Sequence, residues 1–138
     1  LTVSMLFILS AEGTLMAADL TVKLKGFKDE SGGAIIWLWK NGEGFPTKME
    51  KATLKQTSEI KDKSATFVFS GLEPGVYAVS IAHDENGNGK LDTGFLGKPK
   101  EGWGASNNPR NRMSPPSWNQ AKFTVGNDSM TLEIQVQY

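Results

Sequence analysis

A chain of 138 residues with 15 Lys+Arg against 15 Asp+Glu is one domain's worth of sequence with no surplus charge. That balance argues against a nucleic-acid binder, which neutralises phosphates with a basic surplus. With no Cys and one His, the chain has no disulfide framework, no thiolate metal site and no thiol chemistry, and little material for a His-based relay.

Residues 1–18 read LTVSMLFILSAEGTLMAA. The apolar run from Val3 to Leu9 is too short to span a bilayer, which takes about 20 apolar residues. It leads to the small residues Ala17 and Ala18, the pattern of a secretory signal peptide. Two features depart from that pattern: no Lys or Arg precedes the run, and Glu12 interrupts it. The expectation is a leader over 1–18 and a single exported domain over 19–138, periplasmic or extracellular. No later stretch is apolar and long enough to be a transmembrane segment.

After the leader the dominant period is two. Leu20, Val22 and Leu24 alternate with Thr21, Lys23 and Lys25, a strand with one buried face. A turn over 29–33 precedes Ala34 to Trp39, which is apolar on both faces, as a central strand is. Residues 40–51 have loop chemistry, with one helical turn near 47–51. Residues 52–60 are polar enough for an edge strand. Strands over 64–69 and 76–83 flank a turn at 71–75, where Gly75 is the residue expected to take positive φ. A Gly/Asn/Pro-rich stretch runs from Asp84 to Pro116, too long for an idle loop in a small domain. Ser117 and Gln120 have the spacing of a capping box. Strands over 121–125 and 130–136 close the chain. About seven short strands with almost no helix predict an all-β, antiparallel sandwich of immunoglobulin-like or transthyretin-like type.

The sharpest motif is Asp84-Glu85-Asn86-Gly87-Asn88-Gly89-Lys90-Leu91-Asp92, which matches the first half of a calcium loop, D-x-N-x-N-G. Oxygen side chains at Asp84, Asn86 and Asn88 converge as the backbone wraps, and Gly89 permits the sharp bend. Lys90 offers its carbonyl while its side chain points away, and Asp92 ligates directly or through water. Position twelve is Phe95 where an EF-hand has Glu, and a strand rather than a helix enters the loop. Two carboxylates, with Glu85 as a third, imply weak calcium binding, on the order of 0.1–1 mM. The competing reading is a plain Asn/Gly turn.

Other candidates are weaker. His83 ends a strand on the face of Tyr77, Val79 and Ile81, where a packed structural role is expected. A relay of Ser106, His83 and Asp84 fails because adjacent strand residues point to opposite faces. Asp84, Glu85, Asp92 and Glu101 are the acids from which a glycoside-hydrolysing pair would come. Trp103 and Trp118 are candidates for a ligand surface, while Trp37 and Trp39 share one face and pack together. The glycines of 95–108 lack phosphate-loop spacing, so no nucleotide site is expected.

The order GLEPGVYAV at 71–79, HDENGNGKLD at 83–92, FLGKPKEGWGASNN at 95–108 and AKFTV at 121–125 resembles a bacterial family of uncharacterised secreted proteins, domain of unknown function 2141. The likeness covers the chain from about Asp19 to Tyr138, and the block 83–108 is its specific part. The P-G-x-Y piece is shared with β-sandwich modules of carboxypeptidase-regulatory type. The resemblance implies an exported β-sandwich with no established activity and supplies no catalytic residue. Together these readings predict a non-enzymatic module with an unknown protein or glycan partner, ordered by calcium. The alternatives are an envelope glycan hydrolase and a structural accessory subunit that captures a partner strand at the 52–60 edge.

Overall fold

The computed structural model describes residues 17–91, 101–111 and 114–138. Most of the expected leader lies outside them. So do Asp92 and Phe95.

Among the described residues eight strands form two sheets. The first has three strands in the order β4-β1-β8: β1 (Ala18–Lys25), β4 (Ser64–Leu72) and β8 (Met130–Gln135). The second runs β3-β2-β5-β6: β3 (Leu54–Ser58), β2 (Gly33–Trp39), β5 (Gly75–Asp84) and β6 (Trp103–Ala105). Strand β7 (Phe123–Val125) pairs with the start of β5. The sheets pack as a sandwich. All pairings between strands are antiparallel except β1 with β8, which run parallel with Leu20, Val22 and Leu24 opposite Met130, Leu132 and Ile134.

Alternation in sequence becomes burial in space. Leu20, Val22 and Leu24 of β1 are wholly buried, and they meet Phe67 and Phe69 of β4 and Ile36, Leu38, Val79 and Ile81 of the second sheet. Each such side chain contributes about 1.5–3 kcal/mol by leaving water. Lys25, on the outer face, pairs with Glu133 at 3.0 Å, both half exposed. Such surface pairs contribute about 0–1 kcal/mol. The first sheet is therefore a one-sided strand set, as its period of two requires.

Strand β2 is central and covered on both sides. Its inner residues Ala34, Ile36 and Leu38 join the sandwich core. Its outer residues Ile35, Trp37 and Trp39 stand opposite Ala82, Ser80 and Ala78 of β5, so each large side chain faces a small one across the ladder. Over this outer face lie the 40–52 loop, with one 3-10 turn at Met49–Lys51, and the helical turn α1 (Trp118–Ala121). Phe45 sits between Trp39 and Trp118, edge-on to both, at centroid distances of 5.3 and 6.0 Å.

Several expectations are refined. The capping box forms as expected: Ser117 Oγ accepts the Gln120 N–H, and Gln120 Oε1 accepts the Ser117 N–H. It begins a turn that includes Ala121, so the strand expected over 121–125 starts at Phe123. The positive φ of the β4–β5 hairpin belongs to Gly71 (φ +69), not Gly75. Strand β4 runs on through Leu72, and Gly71 N–H reaches Asp19 Oδ1 where the β1 ladder slips. Strand β6 lies inside the expected loop. It is three residues long, has two small residues and no alternation, and exists because β5 offers it an edge. Strand β1 begins at Ala18, which is buried and paired with Leu72.

Candidate functional site

The 84–91 loop leaves the sandwich at the end of β5. Asp84 is the last strand residue and is buried, while Asn86, Asn88 and Lys90 are exposed. Both Asp84 oxygens turn into the loop: Oδ1 accepts the Asn88 N–H at 3.1 Å and Oδ2 accepts the Gly89 N–H at 2.8 Å. Asn86 Oδ1 accepts the same Asn88 N–H, and Asn88 Oδ1 accepts the Lys90 N–H at 2.9 Å. Gly87 and Gly89 both take positive φ, which lets the chain bend around the Asp84 carboxylate. Lys55 of the edge strand β3 donates to the Gly89 carbonyl. Of the five expected ligands, four therefore lie on one curled segment, and Asp92 lies outside the described residues.

Beneath the loop the polar groups are tightly committed. Glu101, itself buried, accepts the Glu85 N–H at 2.8 Å and the Asn86 N–H at 3.4 Å. Glu85 pairs with Lys28 at 2.9 Å, and this hydrogen bond raises the Lys28 pKa above its ordinary value. The second Glu85 oxygen, Oε2, is buried and has no hydrogen-bond partner among the described residues. The 29–33 turn presses against the loop: a Cβ on Gly32 would meet the Asp84 carbonyl oxygen at 1.8 Å, and its φ of +62 favours glycine. In that turn Ser31 donates side-chain and backbone hydrogen bonds to Asp29, which lowers the Asp29 pKa.

His83 has the packed structural role expected of it. It is fully buried and edge-on to Phe27 at 5.2 Å. Its Nε2 lies 2.8 Å from the Ser31 carbonyl, which can only accept, so Nε2 carries the proton. Its Nδ1 then accepts the Tyr138 O–H at 2.7 Å, and the Tyr138 oxygen accepts the Lys28 N–H. Burial raises the Tyr138 pKa. Ser106 is occupied elsewhere, so the hypothetical relay has no geometry.

Residues 103–111, which overlap the end of the 83–108 block, form a clasp. Ser106 Oγ accepts the Val79 N–H at 3.0 Å and donates to the Ala121 carbonyl at 2.6 Å. Asn107 donates to the Gln120 and Lys122 carbonyls. Asn108 bonds both the Glu133 carbonyl and the Gln135 N–H of β8. Asn111 and Gln120 exchange a pair of amide hydrogen bonds. Asn107 and Asn108 have positive φ, which Asn tolerates better than most residues. Sequence reading missed this clasp, whose one signal was a run of Asn residues in a conformationally demanding stretch.

The two tryptophans proposed for a ligand surface are half-buried on separate elements. Trp103 pairs with Ala82 in the ladder and so shares the outer face of the second sheet. It also exchanges backbone hydrogen bonds with Gln137. Trp118 covers the same face from α1 and packs on Phe45 and beside Gly42.

Fold and site together define a small β-sandwich domain with a polar, loop-built end. The chain belongs to the family described as an uncharacterized protein conserved in bacteria, DUF2141, whose model matches residues 22–133. No curated protein and no solved structure matches it.

Proposed function

We propose that this domain is an exported, non-catalytic recognition module whose 84–92 loop takes calcium and thereby stiffens one end of the sandwich for a protein or glycan partner. The observation that carries the reading is the curl of the loop around the Asp84 carboxylate. A buried carboxylate turns both oxygens into a loop whose other side-chain acceptors are the amide oxygens of Asn86 and Asn88. This is a hard-oxygen donor set of the kind calcium prefers. Each Asp84 oxygen accepts one N–H group from the loop, and a carboxylate oxygen has more than one lone pair to offer. Glu85 Oε2, which has no hydrogen-bond partner among the described residues, is a further acceptor oxygen beside the loop. Lys90 contributes its carbonyl, and Asp92 completes the set.

The hydrogen bonds already close the loop, so calcium adds to a formed structure. Its effect is mass-action stabilisation rather than folding. With a Kd near 1 mM, about 10 mM calcium contributes roughly 1.4 kcal/mol, a rise of several degrees in melting temperature. The test is melting with and without calcium, for the native chain and for Asp84→Ala. A shift in the native chain alone is expected. No shift, or an equal shift in Asp84→Ala, overturns the reading.

Export rests on the 1–18 leader pattern. Removal after Ala17 keeps the buried, paired Ala18, whereas removal after Ala18 discards it. In the hydrolase alternative, Asp84 and Glu101 would have to act while holding backbone amides. The accessory-subunit alternative is favoured by one observation: β3 stands at the edge of its sheet, with Leu54 46% exposed. An added strand there would hydrogen-bond to the β3 backbone.

A further inference from the structure

The outer face of the second sheet is incompletely filled. Strand β2 supplies Trp37 and Trp39, but beside them β5 supplies only Ala78, Ser80 and Ala82, and β6 supplies Ala105 next to Ser80, with Trp103 further along next to Ala82. Over this small-residue strip the loop cover leaves a cavity of about 120 Å3. Trp37, Pro46, Met49, Leu91 and Pro116 form its walls, and Ser80 lies among them.

We propose that this cavity binds a small, neutral ring compound carrying one hydrogen-bond acceptor, such as an aryl ketone.

Size sets the first limit. An apolar cavity of about 150 Å3 holds benzene, so the space here suits a single ring. Chemistry sets the second. Among the described residues no lining residue is charged, and the walls are indole, thioether, proline and leucine surface. An ionised ligand would lose its hydration with nothing to replace it.

Ser80 sets the third limit. It is 6% exposed, and its Oγ accepts the Trp39 Nε1–H at 3.0 Å. The acceptor role is thus filled from the Trp39 side, and the hydroxyl proton has no acceptor among the described residues. Trp39 is not part of the lining, so the unused donor is the buried polar function this site offers. The other hydroxyl, Thr47, belongs to the exposed loop. A water needs two to four polar partners to be held in such a place. An apolar ring with one acceptor matches the site better, because it satisfies Ser80 and covers the walls.

Acetophenone and ethylbenzene share a ring and nearly a shape, and differ in the carbonyl. The full chain is titrated with each, and binding is followed by amide and indole NMR shifts. Acetophenone is expected to bind saturably, with the largest shifts at Trp37, Met49 and Ser80. Ser80→Ala should weaken acetophenone about tenfold relative to ethylbenzene, the usual size of one net hydrogen bond. Met49→Trp fills the cavity from its half-buried roof without altering the sheet, and should abolish binding of both. Unsaturable shifts, an unchanged preference in Ser80→Ala, or undiminished binding in Met49→Trp each overturn the proposal. Should Ser80→Ala fail to fold, Met49→Trp decides by itself.

Discussion

The two faces of the five-stranded sheet solve the same problem differently. The inner face, through Ala34, Ile36, Leu38, Val79 and Ile81, meets another sheet whose residues alternate with the same period. Two pleated surfaces interdigitate, and the contact closes. The outer face, through Ile35, Trp37, Trp39, Ala78 and Ser80, meets a loop and one helical turn. These lack a matching period. Aromatic bulk from Trp39, Phe45 and Trp118 fills part of the space, and a cavity remains over the small residues. Apolar packing alone does not hold the outer cover: Ser106, Asn107, Asn111 and Gln120 pin it with directed hydrogen bonds. The difference teaches that sheet-on-sheet contact is specified by period, whereas loop-on-sheet contact needs polar anchors.

The sharpest way to break this contrast is to remove bulk from the closed face. Leu38 is wholly buried in the sandwich core, and Leu38→Ala should cost about 2–5 kcal/mol. Urea unfolding reads this as a lower midpoint with an unchanged slope. A loss below about 1 kcal/mol would mean that the inner face is as loosely filled as the outer one.

Removing an anchor should cost less and act locally. Ser106→Ala leaves the Val79 N–H and the Ala121 carbonyl without their partner, a penalty of about 1–3 kcal/mol. Hydrogen exchange should then quicken at Lys122, whose amide closes α1, more than at the β2 amides. Equal acceleration in both places would show that the clasp stabilises the whole sandwich and not its cover.

The smallest effect concerns the seam where both faces end. Burial raises the Tyr138 hydroxyl above its ordinary 10.0, and the hydrogen bond that Lys28 donates to Glu85 raises Lys28 above 10.5. In both cases the unfolded chain releases its proton first as pH rises. The stability is therefore fully present below about pH 10 and is lost as pH climbs through the folded values. Tyr138→Phe should flatten the fall in melting temperature above pH 10. Asp29 acts in the opposite direction. Its pKa is lowered below 3.8 by Ser31, so its contribution is present above that value and lost as pH falls through the folded one. A Tyr138→Phe profile parallel to the native one would remove Tyr138 from the seam.

Legibility followed the same division. Strands β1 and β8 were readable because their apolar residues recur every second position, which a pleat turns into a buried face, and β2 because its unbroken apolar run marks a strand covered on both sides. The capping box was readable because it is a local contract between Ser117 and Gln120. Strand β6 was not readable. Trp103-Gly104-Ala105 carries no alternation, and it is a strand because Ser80, Ile81 and Ala82 present an open edge. The calcium-loop spacing marked Asp84, Asn86 and Asn88, but not the buried Glu101 that supports the loop from below, seventeen residues beyond Asp84. Nor did any spacing separate Ser80 from other strand serines. Its unused donor follows from Trp39 lying 3.0 Å away.

The order of residues thus determined the class of fold, the placement of the long strands and the curl of the 84–91 loop, because each depends on neighbours within a few positions. Only the tertiary structure decided which face of β2 would close and which would keep a hollow, and which asparagines would hold its cover. Those outcomes depend on contacts between segments far apart in the chain, and a one-dimensional pattern carries no distance between them.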